Sequence, residues 1–244
     1  MNPSTAAGAA PAGEVALEQL DRDLWVATRP LALIVGDIGT RMTVLRLANG
    51  DLLLHSPVPL DAPTRHALDA LGRVRWVVGP SKPHHFYLGE YAAAYPHAEL
   101  CGAPGLAEKR RDLAFAHELD AATARRLWGG EVEVRLFEGA PFMNEVVFFH
   151  PASRTLILTD LAFNVRTRNR ARLFHRLVGA TDRFGPHLIV RLGIRDKAAA
   201  RRSRDALLGW DFDRVVVAHG DVLETGGRAA MTSAFAWLGP SDGA

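Results

Sequence analysis

An apolar run at residues 74–78 (VRWVV) is followed at once by Gly79-Pro80-Ser81-Lys82-Pro83-His84-His85-Phe86-Tyr87-Leu88-Gly89. The run reads as a buried strand, and the stretch after it as a Pro-rich turn. Neighbouring side chains point to opposite faces of a strand and lie about 100° apart on a helix. Only an irregular loop lets the imidazoles of His84 and His85 converge. The chain must therefore leave a buried strand through a histidine-bearing loop, and the two rings are candidates to share a metal ion.

Around this loop the chain alternates its patterns. Residues 23–28, 42–47 and 51–55 read as strands, and Asn49-Gly50 between the last two is a hairpin signal. Residues 61–71 read as a helix. Residues 88–95 read as another, ending at Pro96, and residues 99–101 as a short strand. Pro104 suits the first turn of a helix over 104–110. Strands follow at 131–137, 146–149 and 155–159, the last two flanking a turn at 150–153. Helices are expected at 170–178, 196–208 and 222–238, with a buried strand at 213–218. This order fits an α+β fold of two mixed sheets packed together, with helices outside.

With 244 residues, the chain can bury roughly 70–75% of its unfolded surface without disulfides. Its one cysteine, Cys101, excludes an intrachain disulfide framework and a cysteine-rich zinc site. Cys101 sits in an apolar segment and reads as buried rather than nucleophilic. A reducing, cytoplasmic setting fits. The formal net charge of +2 does not call for a nucleic-acid partner. No apolar run reaches the length of a membrane span. The Ala/Gly/Pro-rich start lacks the features of a signal peptide. It reads as a disordered tail over residues 1–14, before a single domain at 15–240.

Three apolar strands end in residues that can bind metal: His84-His85 after 74–78, Thr159-Asp160 after 155–158, and His219-Gly220 after 215–218. If those ends meet, three histidines and one carboxylate suit Zn²⁺, Fe or Mn.

The pieces GTRMTVLRL, DLLLHSP, the P-S-K-P-H-H-x-x-L-G-E loop, EVVFFHPASRTLILTD and VVVAHGD together resemble the DUF4336 family and, more distantly, the metallo-β-lactamase-fold superfamily. The resemblance spans about residues 20–238 and implies an αββα four-layer sandwich. In the superfamily the corresponding loop reads H-x-H-x-D-H and serves two metals. Laid on that pattern, Pro80 and Lys82 occupy the first two histidine positions, His84 the aspartate and His85 the last histidine. The turn that supplies a further histidine falls near residues 140–143, which contain none. Asp160 matches the bridging aspartate and His219 the C-terminal histidine.

The resemblance therefore implies a metal-dependent hydrolase-like protein with one divalent metal, zinc ahead of iron or manganese, on His84, His85, Asp160 and His219. Asp160 would act as ligand or base on a small, anionic substrate. Lys82 would lie near the lost first-metal position and stand in for its charge. His55, at a strand end, would back a ligand or serve the core. The arginines at Arg166, Arg168, Arg170 and Arg172 suit an anion-binding patch, against the plainer reading of a solvated helix face. Two other readings stand beside this one. The first is a metal-free protein that keeps the pocket and holds an anionic ligand through Lys82 and the arginines. The second, less supported, is nucleic-acid binding. His150, in the expected turn, reads as a surface residue. The sequence does not fix an oligomeric state.

Overall fold

The computed structural model describes residues 16–33, 36–165 and 183–240. The expected tail at 1–14, the expected helix at 170–178 and the arginines from Arg166 to Arg172 lie outside them. The first half of the chain supplies β1 (Glu18–Asp21), β2 (Leu24–Arg29), the short pair β3 (Ala32–Leu33) and β4 (Gly36–Asp37), β5 (Thr40–Arg46), β6 (Asp51–His55), β7 (Arg73–Gly79), β8 (Glu99–Gly102) and β9 (Phe115–Glu118). Without the short pair, these strands form one mixed sheet in the order β1-β2-β5-β6-β7-β8-β9. A second sheet has the order β10-β11-β12-β13, from β10 (Glu133–Leu136), β11 (Val146–His150), β12 (Thr155–Ile157) and β13 (Arg214–Val216).

The layers follow from period-two alternation. In β6, Leu52 and Leu54 face an outer cluster while Leu53 faces the space between the sheets. In β11, Val146 and Phe148 face inward while Val147 and Phe149 face an outer cluster of their own. Both strands carry apolar residues on both faces, as sheets covered on both sides require. The outer face of the first sheet is covered by α1 (Ala62–Leu71) through Leu68 and by α2 (Leu88–Ala94) through Leu88 and Tyr91. Two short helices, α3 (Leu106–Lys109) and α4 (Ala121–Trp128), belong to the same half; Ala124 and Trp128 of α4 join the central cluster. The outer face of the second sheet is covered by α5 (Leu188–Gly193), α6 (Lys197–Leu208) and α7 (Gly227–Ala234) through Val190, Ala200, Leu207 and Met231. The order of layers is helix, sheet, sheet, helix, as expected.

Local signals explain several boundaries. The Asn49-Gly50 turn joins antiparallel β5 and β6, with Gly50 at a φ of 83°. Asp61 caps α1, its side chain accepting from the Thr64 amide. Three expectations need correction. The helix expected over 222–238 begins only at Gly227, because Leu223 exchanges two backbone hydrogen bonds with Val215 and Gly226 caps the helix at a φ of 73°. Pro104 does not open a helix; Gly105 turns the chain and α3 starts at Leu106. His150 is buried, because it is the last residue of β11 and its Nδ1 lies 2.7 Å from Ser153 Oγ. Helices α4 and α5 were not foreseen. Both are short, and Asp120 and His187 cap them with their side chains.

The pairing directions place the site. β6 runs parallel to β7, and β12 runs parallel to β13. Parallel neighbours end at the same edge of a sheet, so Ser56 and the loop after Gly79 emerge together, as do Asp160 and His219. Cross-links join the two edges: Val146 N donates to Pro80 O at 2.8 Å, Lys82 N to Met143 O at 2.9 Å, and Arg41 Nη1 to Val217 O at 2.6 Å. Among the described residues, no helix is long and apolar enough to cross a membrane.

Candidate metal centre

His84, Asp160 and His219 each offer a ligand atom, and these atoms lie within 4.8 Å of one another. His84 Nε2 is 3.3 Å from Asp160 Oδ2, and His219 Nε2 is 3.4 Å from Asp160 Oδ1. The two rings stand 5.3 Å apart. The Asp160 side chain keeps 17% of its exposure, so the group is reachable from solvent although both imidazoles are nearly covered.

The far side of each imidazole is held by the fold. His219 Nδ1 lies 2.6 Å from the carbonyl of Gly39. A carbonyl only accepts, so Nδ1 carries the hydrogen and Nε2 of the neutral ring carries the lone pair. The Phe163 ring stacks on His219 at 5.3 Å and 12°, fixing its plane. His84 Nδ1 lies 2.7 Å from Ser56 Oγ, which can donate or accept. Ser56 follows β6 directly and sits at a φ of 56°, unusual for a residue other than glycine.

Asp160 is fixed from behind. Glu145, at the start of β11 and buried, accepts through Oε1 from Thr159 N at 2.6 Å. Its Oε2 accepts from Asp160 N and Leu161 N, both at 2.9 Å. One carboxylate thus satisfies three consecutive amides of the turn that presents Asp160. Burial, and then the Asp160 charge, push the Glu145 carboxyl up to about 7. Burial works in the same upward direction on Asp160, but His84 and His219 outweigh it and hold that carboxyl well below the usual range.

The turn carrying His219 depends on Gly220. It sits at a φ of 94°, and a Cβ there would lie 2.2 Å from the carbonyl oxygen of Asn164. Asn164 N donates to His219 O at 3.1 Å, and Asp221 N donates to Asn164 O at 2.9 Å. This close approach ties the His219 turn to the chain just after Asp160.

The structure brings His84, Asp160 and His219 together and leaves His85 out. The His85 ring stacks on Phe86 at 4.6 Å, and its Nδ1 lies 3.2 Å from Arg110 Nη1. Burial, then Lys109 and Arg110, push this imidazole down to about 4. Lys82 is not among the three clustered ligands. Its ammonium donates to Pro141 O at 3.0 Å and packs against Gly105. It therefore ties the histidine loop to the 140–143 turn. His55 is buried between the sheets, its ring edge 4.7 Å from Phe148 and its Nε2 without a hydrogen-bond partner. Burial, and next the neighbouring His84, push it down to about 3, so it is neutral. Cys101 is buried, and burial pushes its thiol up to about 12.

Sequence reading missed Ser56, Glu145, Phe163 and the Gly39 carbonyl. Glu145 did leave a signal. It is a lone carboxylate opening the run Val146-Val147-Phe148-Phe149, and a charge in a covered strand must find partners. The other three are set by tertiary contacts alone.

The donor set tests whether a cation fits. With Nδ1–H of His219 committed to Gly39, the Nε2 lone pair faces the lone pairs of Asp160 Oδ1. Two acceptors facing one another are held by a cation between them, whether a proton or a metal. Two imidazole nitrogens and one carboxylate are also a donor set that Zn²⁺ and related divalent ions accept, with a further position left open.

The fold is that of the metallo-β-lactamase-fold proteins. The metallo-beta-lactamase from Erythrobacter litoralis, solved with beta mercaptoethanol in the active site, has a TM-score of 0.64 at 15% identity, over 93% of this chain and 98% of that one. FIM-1 from Pseudomonas aeruginosa, in its mono-zinc form, has a TM-score of 0.63 at 12% identity, over 91% and 93%. The metallo-beta-lactamase from Pontibacter korlensis has a TM-score of 0.62 at 13% identity, over 91% and 97%. Within this fold, the chain belongs to the family described as a domain of unknown function, DUF4336, whose model matches residues 22–182. No curated protein matches the sequence at a significant level.

Proposed function

We propose that this protein binds one divalent metal ion through His84 Nε2, His219 Nε2 and the Asp160 carboxylate, and uses it to hydrolyse a small-molecule substrate. The observation that carries the reading is the pairing of His219 Nε2 with Asp160 Oδ1 while His219 Nδ1 is committed to the Gly39 carbonyl. Zinc suits the nitrogen-rich set best, and iron or manganese are accepted by the same donors. The mono-zinc form of FIM-1 is a precedent for one ion on this fold.

When bound, such an ion supplies Lewis acidity and makes hydroxide available from water near neutral pH. The chain's own part is to orient and to insulate. Gly39 holds the proton on His219 Nδ1, Ser56 fixes the His84 ring, and Glu145 holds the Asp160 backbone. Three protein ligands with an open position is the pattern of catalytic rather than structural zinc. Both oxygens of Asp160 are turned to the histidines, so Asp160 acts as a ligand before it acts as a base.

Metal content of protein purified without chelator is the decisive measurement. About one Zn, Fe or Mn per chain, lost in Asp160→Ala and in His219→Ala, is the expected result. A chain that stays metal-free after reloading with each ion would end the reading.

A further inference from the structure

Away from the metal group, a cavity of about 230 Å³ lies between the 183–186 segment, α5, the end of α7 and the single 3-10 turn Ala236–Leu238 that follows it. Arg183, Phe184, Gly185, Arg191, Ser233 and Trp237 line it. Its polar groups have one character. Neither Arg183 nor Arg191 has a carboxylate partner among the described residues. The Arg191 guanidinium lies 4.7 Å over the Trp237 ring. That stacking uses the face of the guanidinium and leaves its N–H edge unspent. Trp237 Nε1 is fully covered, so the indole offers the cavity its ring and not its N–H.

The two guanidiniums are hydrogen-bond donors and permanent cations lining one cavity. What completes them is an acceptor with negative charge. Phe184 and Trp237 supply flat apolar walls beside the charges. The volume lies below the roughly 300–1,000 Å³ of a drug-sized ligand site. It therefore suits a single anionic group and not a whole cofactor.

We infer that this cavity binds a small oxyanion, a carboxylate or phosphate group, on Arg183 and Arg191. Guanidinium forks match both groups with paired, charge-assisted hydrogen bonds. The oxyanion is either a free ion or the charged end of a larger ligand. The cavity also has a direct link to the metal group. Gly185 exchanges two backbone hydrogen bonds with Phe163, at 2.9 and 3.0 Å, and the Phe163 ring is stacked on His219. The inference stands without the metal reading, because neither arginine belongs to that group.

Calorimetric titration of the full chain, stripped of metal, tests it. Sodium phosphate and phenyl phosphate are compared at constant ionic strength. One anion is expected to bind per chain, with affinity falling at least about tenfold in Arg183→Ala and in Arg191→Ala, each a loss of one charge-assisted pair. Phenyl phosphate binding tenfold or more tightly than phosphate would identify the end of a larger ligand, and equal affinities a free anion. Both support the site. Binding that is absent at about 10 mM anion, or that survives intact in the double arginine variant, would overturn it. Both arginines are exposed, so these variants are expected to fold.

Discussion

The carboxylate of Glu145 accepts the amide proton of Asp160 at 2.9 Å, and the amides of Thr159 and Leu161 with it. A buried side chain on one strand thus shapes the turn that leaves the next strand. It touches no ligand side chain, yet it determines where the only carboxylate of the metal group stands.

Replacing Glu145 by Gln keeps the volume but puts an NH₂ where one carboxylate oxygen accepted. At least one of the three amides then loses its acceptor. Zinc affinity should fall by about 10- to 100-fold, the range for partners that stand behind metal ligands. Competition with a chelating dye measures it. Unchanged affinity in a folded variant would show that the turn holds its shape without the carboxylate.

Ser56 combines a positive φ with a 2.7 Å contact to His84 Nδ1. Two substitutions separate these roles. Ser56→Ala and Ser56→Gly both lose the hydroxyl, and both should weaken zinc binding by about tenfold. Glycine tolerates the φ and alanine does not, so the glycine variant should be the more stable of the two, by about 1 kcal/mol. Equal denaturant midpoints would remove the backbone argument, and unaltered zinc binding the hydroxyl argument.

Gly220 has no room for a methyl group, since the Asn164 carbonyl would lie 2.2 Å from it at a φ already unfavourable for alanine. Gly220→Ala should cost at least about 2 kcal/mol of stability. It should also displace His219, so metal content should drop in whatever protein remains folded. A variant with wild-type stability and full metal content would contradict the geometry.

The pH dependence of stability in metal-stripped protein should carry opposed contributions. His55 is pushed down from 6.5 to about 3, so the unfolded chain binds its proton first, and stability is lost as pH falls from 6.5 toward 3. At ~1.4 kcal/mol per unit this reaches about 5 kcal/mol at the acid end. Glu145 is pushed up from 4.5 to about 7, so the folded chain holds its proton longer, and stability is lost as pH rises through that window. His85, pushed down from 6.5 to about 4, adds to the His55 slope, so stability rises with pH between 4.5 and 6.5. Glu145→Gln should steepen that rise, and His55→Leu should flatten it. Denaturant midpoints at half-unit steps of pH decide between these slopes.

The strands at 51–55 and 146–149, the Asn49-Gly50 turn and the burial of Cys101 were legible because alternation, turn chemistry and apolarity act between near neighbours. The placing of ligand types after three apolar strands was legible for the same reason: a strand end is a local event. Which ligands meet is not local. His84 and His85 are adjacent and chemically identical, and only the φ and ψ of the loop turn one toward Asp160 and the other toward Arg110. Lys82 has the same loop and finds the Pro141 carbonyl, a residue far along the chain. Glu145 reads as an odd charge in an apolar strand until the pairing of β11 with β12 sets its carboxylate under the Asp160 turn. The sequence by itself determined the elements and the stock of donors. The tertiary structure decided which of them share a site, because convergence depends on strand order, parallel pairing and loop conformation, and those are set by packing between distant segments.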